Sequence, residues 1–123
     1  MPAKKRRGAG RYRHKLLIEQ NCPKTVNRQR VDDWRTYVRR SGSLRPLRAV
    51  ERYINEAHQE VLISHTIRLR FDSKTAAITE SHRVVYSPGH NLPKRYFAIK
   101  SAIDPDERRR EIELHVIERA FER

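Results

Sequence analysis

Cysteine occurs once in this chain, at Cys22, which leaves no internal disulfide framework and no zinc site built on paired cysteines. Glycine occurs four times, at Gly8, Gly10, Gly42 and Gly89, too scattered to form a phosphate-cradling GxxxxGK[ST] loop. No run approaches the roughly 18 apolar residues that a transmembrane helix needs, so no membrane partner is expected. The basic opening MPAKKRRGAG is not followed by an apolar stretch, so no secretory signal is expected. Acids are also scarce, 15 against 28 lysines and arginines. No HExxH pattern and no metal-binding carboxylate set appear, and no local base is apparent beside Cys22. An enzyme is not expected, and no cofactor is implied. The default compartment is the cytoplasm, or a particle assembled there.

What is present is charge and alternation. The formal net charge is +13 over 123 residues, with 37% hydrophobic and 35% charged. That describes one domain with a small core under a charged surface, not a disordered chain. Such a surface suits anionic partners, either nucleic acid or acidic protein faces. The stretch SHTIRLRF, residues 64–71, alternates with a period of two. Ile67, Leu69 and Phe71 share one side with His65, and Arg68 and Arg70 share the other with Ser64 and Thr66. That is a half-buried strand with a basic outer face.

The same reading extends along the chain. Residues 1–12 carry Lys4, Lys5, Arg6, Arg7 and Arg11 and no acid, which reads as a flexible basic arm ahead of a single domain at 13–119. Leu16 and Ile18 mark a first strand. Residues 21–33 read as a loop, and a second strand starts at Trp34. Leu47, Val50, Ile54 and Ala57 have helical spacing behind Pro46, which predicts a short helix near 47–57. Residues 60–71 predict the clearest strand, 72–82 a long turn, and 83–86 a short strand. A further strand at 94–103 places Arg95, Phe97, Ile99 and Ile103 on one face. Asp104 to Glu107 reads as a hairpin turn with Pro105 at its second position. The last strand buries Ile112, Leu114 and Val116 and exposes Glu111, Glu113 and His115. The sum is a mainly β fold, a small antiparallel barrel of five to six strands with one short helix and long loops.

Few side chains point to chemistry. His14, His65 and His115 fall on strands and read as ordinary strand or interface histidines. Cys22 beside Pro23 reads as a free loop thiol. The pairs Asp32–Asp33 and Asp104–Asp106 read as turn-forming aspartates. The arginines Arg39, Arg40, Arg45 and Arg48 are candidates for binding carboxylate or phosphate. The aromatics form no base-stacking platform, and no RNP motif is present.

The order of segments carries more. RYRHKLLIEQ resembles the "LRHRI-x-I-Q" opening of the phage head–tail joining family, the head closure or stopper proteins of tailed phages. The segment SLRPLRAVERYINEAHQEVLISHTIRLRF is similar to that family's "V-x-P-L-S-G-R-E" followed by "T-H-x-I-x-I-R-Y". RVVY resembles its "R-V-x-Y", and RYFAIKSAIDPDERRREIELHVIE its closing hairpin "Y-x-I-x-x-V-x-D-P-D-x-R-x-R-x-L-x-L". Together these cover about residues 11–118. The chain departs from the pattern in several places, the longer basic arm at residues 1–10 among them. Arg48-Ala49-Val50-Glu51 stands for "S-G-R-E", Ser64-His65 stands for "T-H", and the turns after Phe71 and Tyr86 are longer.

The resemblance implies a non-enzymatic virion protein of the neck, made in the host bacterial cytoplasm. It implies a ring of copies of this chain, about a dozen or six, closed by heterologous contacts. It implies the portal or adaptor ring on one side and a tail terminator or tail tube protein on the other, with genomic DNA in the channel. On that reading Leu16, Ile18, Ile67, Leu69, Phe71, Phe97, Ile99, Ile112, Leu114 and Val116 fill the barrel. Arg39, Arg40, Arg45, Arg48, Arg68 and Arg70 meet neighbours, with Glu111 and Glu113 as the opposite sign. The basic arm meets protein or DNA. Two alternatives stay open: a small basic nucleic-acid-binding β-barrel module, or another neck ring such as a tail terminator.

Overall fold

Alternating apolar side chains over most of the chain give eight strands in the computed structural model, which describes residues 12–54 and 60–120 but not the side chains at 48–54, 60–61 and 106. The strands are β1 (His14–Asn21), β2 (Lys24–Val26), β3 (Gln29–Val31), β4 (Trp34–Ile54), β5 (Glu60–Arg70), β6 (His82–Tyr86), β7 (Arg95–Ile103) and β8 (Glu111–Arg119). Six of them pair antiparallel in the order β1-β4-β5-β8-β7-β6, and β6 pairs back onto β1, closing the sheet as a small barrel. Closure removes the sheet edges that would otherwise invite pairing with other chains.

The inward set is the one that alternation predicts. Leu16, Ile18, Ile67, Leu69, Phe97, Ile99, Ile112, Leu114 and Val116 are all buried. Phe71 is only partly buried and packs against the core from its end, because β5 stops at Arg70. The turn after it also contributes. Thr75 and Ile78 are buried, and Thr75 Oγ1 donates to the Arg70 carbonyl at 2.8 Å.

The helix expected near 47–57 is not formed over its described part. Residues 47–54 are the end of β4, and 55–57 lie outside the described residues. The helical spacing is outweighed by β5, against which Glu51, Arg52, Tyr53 and Ile54 pair in antiparallel register. Pro46 starts no helix. It sits opposite His65 at the start of the β4–β5 register shift, an irregularity of the kind where a sheet tolerates proline.

Residues 21–33, read as a loop, hold a two-stranded ribbon instead. β2 and β3 pair around Asn27 and Arg28, both with positive φ (52° and 64°), the conformation of a tight hairpin turn. Its base is tied by Cys22 N–H to the Asp33 carbonyl (2.8 Å) and by Asn21 Nδ2 to Asp32 Oδ1 (3.0 Å). Asp32 and Asp33 therefore fasten the base of the ribbon, and the turn itself is Asn27-Arg28.

β4 belongs to two ladders. Its first half pairs with β1 and its second with β5, and Gly42 sits opposite both His14 and Leu69. A Cβ at Gly42 would lie 2.6 Å from Leu69 Cδ2, 2.8 Å from Leu16 Cδ1 and 2.9 Å from the Arg68 carbonyl oxygen. Only glycine lets the strands approach this closely.

Candidate functional site

With the barrel interior filled, the side chains available for function lie on its outer wall. The face of β5 and β8 was expected to be basic on one strand and acidic on the other, and the two meet directly. Arg68 is opposite Glu113 in register, and its guanidinium reaches Glu113 at 2.8 Å and Glu111 at 3.3 Å. Tyr12 Oη donates to Glu111, and the exposed Arg70 guanidinium lies 5.2 Å from the Tyr12 ring centroid. His115 bridges Glu113 (2.7 Å) and Ser101 (2.8 Å). This wall is an internally compensated charge ladder, with Arg70 at its exposed end.

A second group braces four strands. Arg83 on β6 is only 9% exposed. Its guanidinium lies between the rings of Trp34 on β4 (4.3 Å) and Tyr96 on β7 (4.8 Å). Its Nε donates to Glu19 on β1 at 2.8 Å. A planar cation stacked on two rings and held by a carboxylate suits arginine and not lysine.

A third group joins β5, β7 and β8. The Glu118 N–H donates to Ser64 Oγ (2.8 Å), which contacts His65 Nδ1 (2.8 Å). Arg95 Nη2 approaches His65 Nε2 (3.3 Å), and Arg95 forms a two-point pair with Glu118 (2.8 and 2.9 Å). Arginine only donates, so Nε2 is the acceptor and the network assigns the ring hydrogen to Nδ1. Burial holds the His65 pKa below its ordinary value, with Arg95 opposing protonation and Glu118 favouring it. The hydrogen bonds from Arg95 hold the Glu118 carboxyl below its ordinary value. His82 is likewise lowered by burial. It packs edge-on to Tyr37 at 4.5 Å and accepts the Thr79 N–H at Nδ1.

A fourth feature is concave. A groove of about 460 Å³ opens on the outer faces of β1, β4 and β6. Leu17 and Val85 line it with Lys15, Arg39, Arg40 and Lys94, and no acid is among its lining residues. Arg40 also pairs with Asp72 at 3.0 Å. Among the described residues no group of three or more His, Cys, Asp or Glu is arranged to hold a metal ion.

Among the described residues these features are surfaces that present charge outward. The family model for phage head completion protein matches residues 7–119 of the 123. The chain belongs to the phage head completion protein family. No curated protein matches it. This is a structural and not an enzymatic family, so the head completion protein has a closure role at the phage head and works against other head and tail proteins. No helix among the described residues is long and apolar enough to cross a membrane.

The residues singled out in the sequence fall in different places on this head completion protein. Arg39 and Arg40 come together at the groove, while Arg45 is exposed further along β4. Arg48 lies on β4, and its side chain is outside the described residues. Arg68, Glu111 and Glu113 are brought together within one chain. Lys4, Lys5, Arg6, Arg7 and Arg11 lie outside the described residues. His14, His65 and His115 do not converge on one point. His14 accepts the Leu44 N–H at 3.3 Å, and the others have the partners given above. Sequence reasoning missed Arg83 as a brace and the gathering of Lys15, Arg39 and Lys94 around one groove. Only strand register brings these together.

Proposed function

We propose that this head completion protein is a ring-forming closure protein of the phage neck, sealing the DNA channel after packaging and offering the tail its docking surface. The observation that carries the proposal is the closed barrel with two hairpins standing off it. Barrel closure leaves no free edge in the six-stranded sheet, so subunit contacts fall to outer side chains and to the two hairpins, whose own edges stay open. The β2–β3 ribbon is exposed throughout, with Lys24, Arg28 and Arg30 on it. The β4–β5 hairpin runs past the last β5–β8 pair, which ends at His65, while 51–54 and 60–63 go on pairing with each other. It is the element suited to reach from a wall subunit towards a channel. The basic arm at 1–12 then contacts the adjoining neck ring, the portal or adaptor on the head side.

The test is electron microscopy and a DNA-content assay on particles from a producer strain lacking this gene. Packaged heads without tails that leak genome are expected. Normal tailed particles would end this reading. Steep salt-dependent binding of the isolated chain to free DNA would then put a nucleic-acid-binding module in its place.

A further inference from the structure

The groove and one turn of this chain are complementary, and they lie on opposite flanks of the barrel. The groove is centred on β1. The turn between β7 and β8 leads into the strand opposite β1: in the order β1-β4-β5-β8-β7-β6, β8 is reached from β1 past β4 and β5 one way and past β6 and β7 the other. Cyclic assembly needs this arrangement, because its contacts are heterologous and each subunit presents two different, matching patches.

The chemistry of the two patches matches as well. The groove has an aliphatic floor, Leu17 beside Val85 in register, and a cationic rim of Lys15, Arg39 and Lys94, all three exposed. An aliphatic floor offers nothing for bases to stack on, so it favours a peptide over a nucleic acid. The turn presents an aliphatic residue followed by acids. Ile103 is 42% exposed at the end of β7, and Asp104, Asp106 and Glu107 follow it. The Asp104 carboxylate accepts the Arg109 N–H (3.0 Å), which fixes the turn and leaves Glu107 exposed beyond it. Glu107 and Arg109 both hold positive φ (52° and 56°) without being glycine. Such conformations are strained for residues other than glycine and concentrate where a structure has a use for the shape. The exposed Arg108, Arg109 and Arg110 come after the acids and lead back into β8, where the Arg110 carbonyl accepts the Phe71 N–H at 2.9 Å.

We propose that the basic groove over β1 receives the β7–β8 turn, residues 103–107, of the next copy of this chain around the ring. Ile103 sits on Leu17 and Val85, and Asp104 and Glu107 face Lys15, Arg39 and Lys94. The proposal rests on the ring reading above and names the contact that builds it.

The test uses particles. With Cys22→Ser as background, Ser87→Cys places a thiol at the groove and Glu107→Cys one on the turn. Particles carrying both are treated with a short bismaleimide and run on a denaturing gel. A ladder of dimer, trimer and higher species is expected, and neither single-cysteine variant gives one. If the double variant does not enter particles, particles mixing it with wild-type copies give the same reading. Particles that contain the chain without a ladder overturn the contact alone. So does attachment of the groove thiol to a different virion protein, or photo-crosslinking of the groove to DNA. Particles that lack the wild-type chain altogether overturn the neck reading, and the contact with it.

Discussion

Arg83 donates from Nε to Glu19 at 2.8 Å while its guanidinium plane is covered by Trp34 and Tyr96. Four of the six barrel strands thus meet at one cation. Arg83→Ala leaves the Glu19 carboxylate half-buried without this partner and opens a gap between two rings. A loss of about 2–3 kcal/mol is expected. Arg83→Lys keeps the charge and loses the stacked plane, at about 1–2 kcal/mol. Urea unfolding of both variants checks this. Equal stabilities for the lysine variant and wild type would show that the stacking contributes nothing.

Arg68 and Arg70 should part company. Arg68→Glu puts a third carboxylate beside Glu111 and Glu113 and should lower stability by about 1–2 kcal/mol. Arg70→Glu also stands opposite Glu111 but at the exposed end of the ladder, and should cost less, up to about 1 kcal/mol. Thermal unfolding separates them. If Arg70→Glu is stable yet fails to complete heads, Arg70 belongs to a contact with a neighbour. Complete, infectious particles from that variant would assign it to solvent.

Gly42→Ala should destabilise by about 1–3 kcal/mol, because its Cβ meets the Arg68 carbonyl, which belongs to the backbone and cannot swing aside. Replacing Gly89, whose Cβ meets nothing within 4 Å, tests the contrast. It leaves packing untouched and carries only the strain of φ +84°. Melting curves of Gly42→Ala and Gly89→Ala should differ, with Gly42→Ala melting lower.

Stability should fall with pH in two windows. His65 and His82 have folded-state pKa values below the ordinary 6.5, so the unfolded chain takes up protons first. Their contribution is complete above about pH 6.5 and declines below it, by at most about 1.4 kcal/mol per pH unit for each ring. Glu118 and Asp72 are also lowered. Arg95 is the main cause for Glu118, and for Asp72 the hydrogen bonds from Thr75, Arg40 and Lys74 outweigh its burial. Their loss begins only as the pH falls through the carboxylate range. Urea midpoints at pH 7.5, 5.5 and 3.5 for wild type and for His65→Gln with His82→Gln should show the first window removed and the second retained. An unchanged slope between pH 7.5 and 5.5 in the double variant would mean that other groups set it.

Alternation made the barrel legible. The strands at 60–71, 83–86, 94–103 and the last one were all readable, because a period of two over one buried face leaves little ambiguity. Three misreadings have specific causes. Ile103 was placed with Phe97 and Ile99, but the register shift between Ile99 and Ser101 inserts Lys100 and turns the rest of β7 over. Ile103 is left outside and Ala102 packs against the core instead. The helix near 47–57 followed a local pattern that pairing with β5 overrides. The β2–β3 ribbon was hidden because its turn is Asn27-Arg28, without the glycine that usually marks such a hairpin. At the site, each charge was visible but not its partner. Arg68 looked free for a neighbour, and only the strand order places Glu113 beside it.

The length of β4 has a mechanical consequence. One uninterrupted strand runs from Trp34, against the Arg83 brace, past Gly42 to Ile54 in the projecting hairpin. A load applied at the hairpin, such as pressure from a packed genome, is carried along covalent backbone. It is shared in shear by the β5 ladder and then the β1 ladder, whose hydrogen bonds must yield many at a time. The weakest point on that path is the register shift between Pro46 and Glu51, where four residues of β4 lie against a single residue of β5, so bending under load concentrates at the root of the arm.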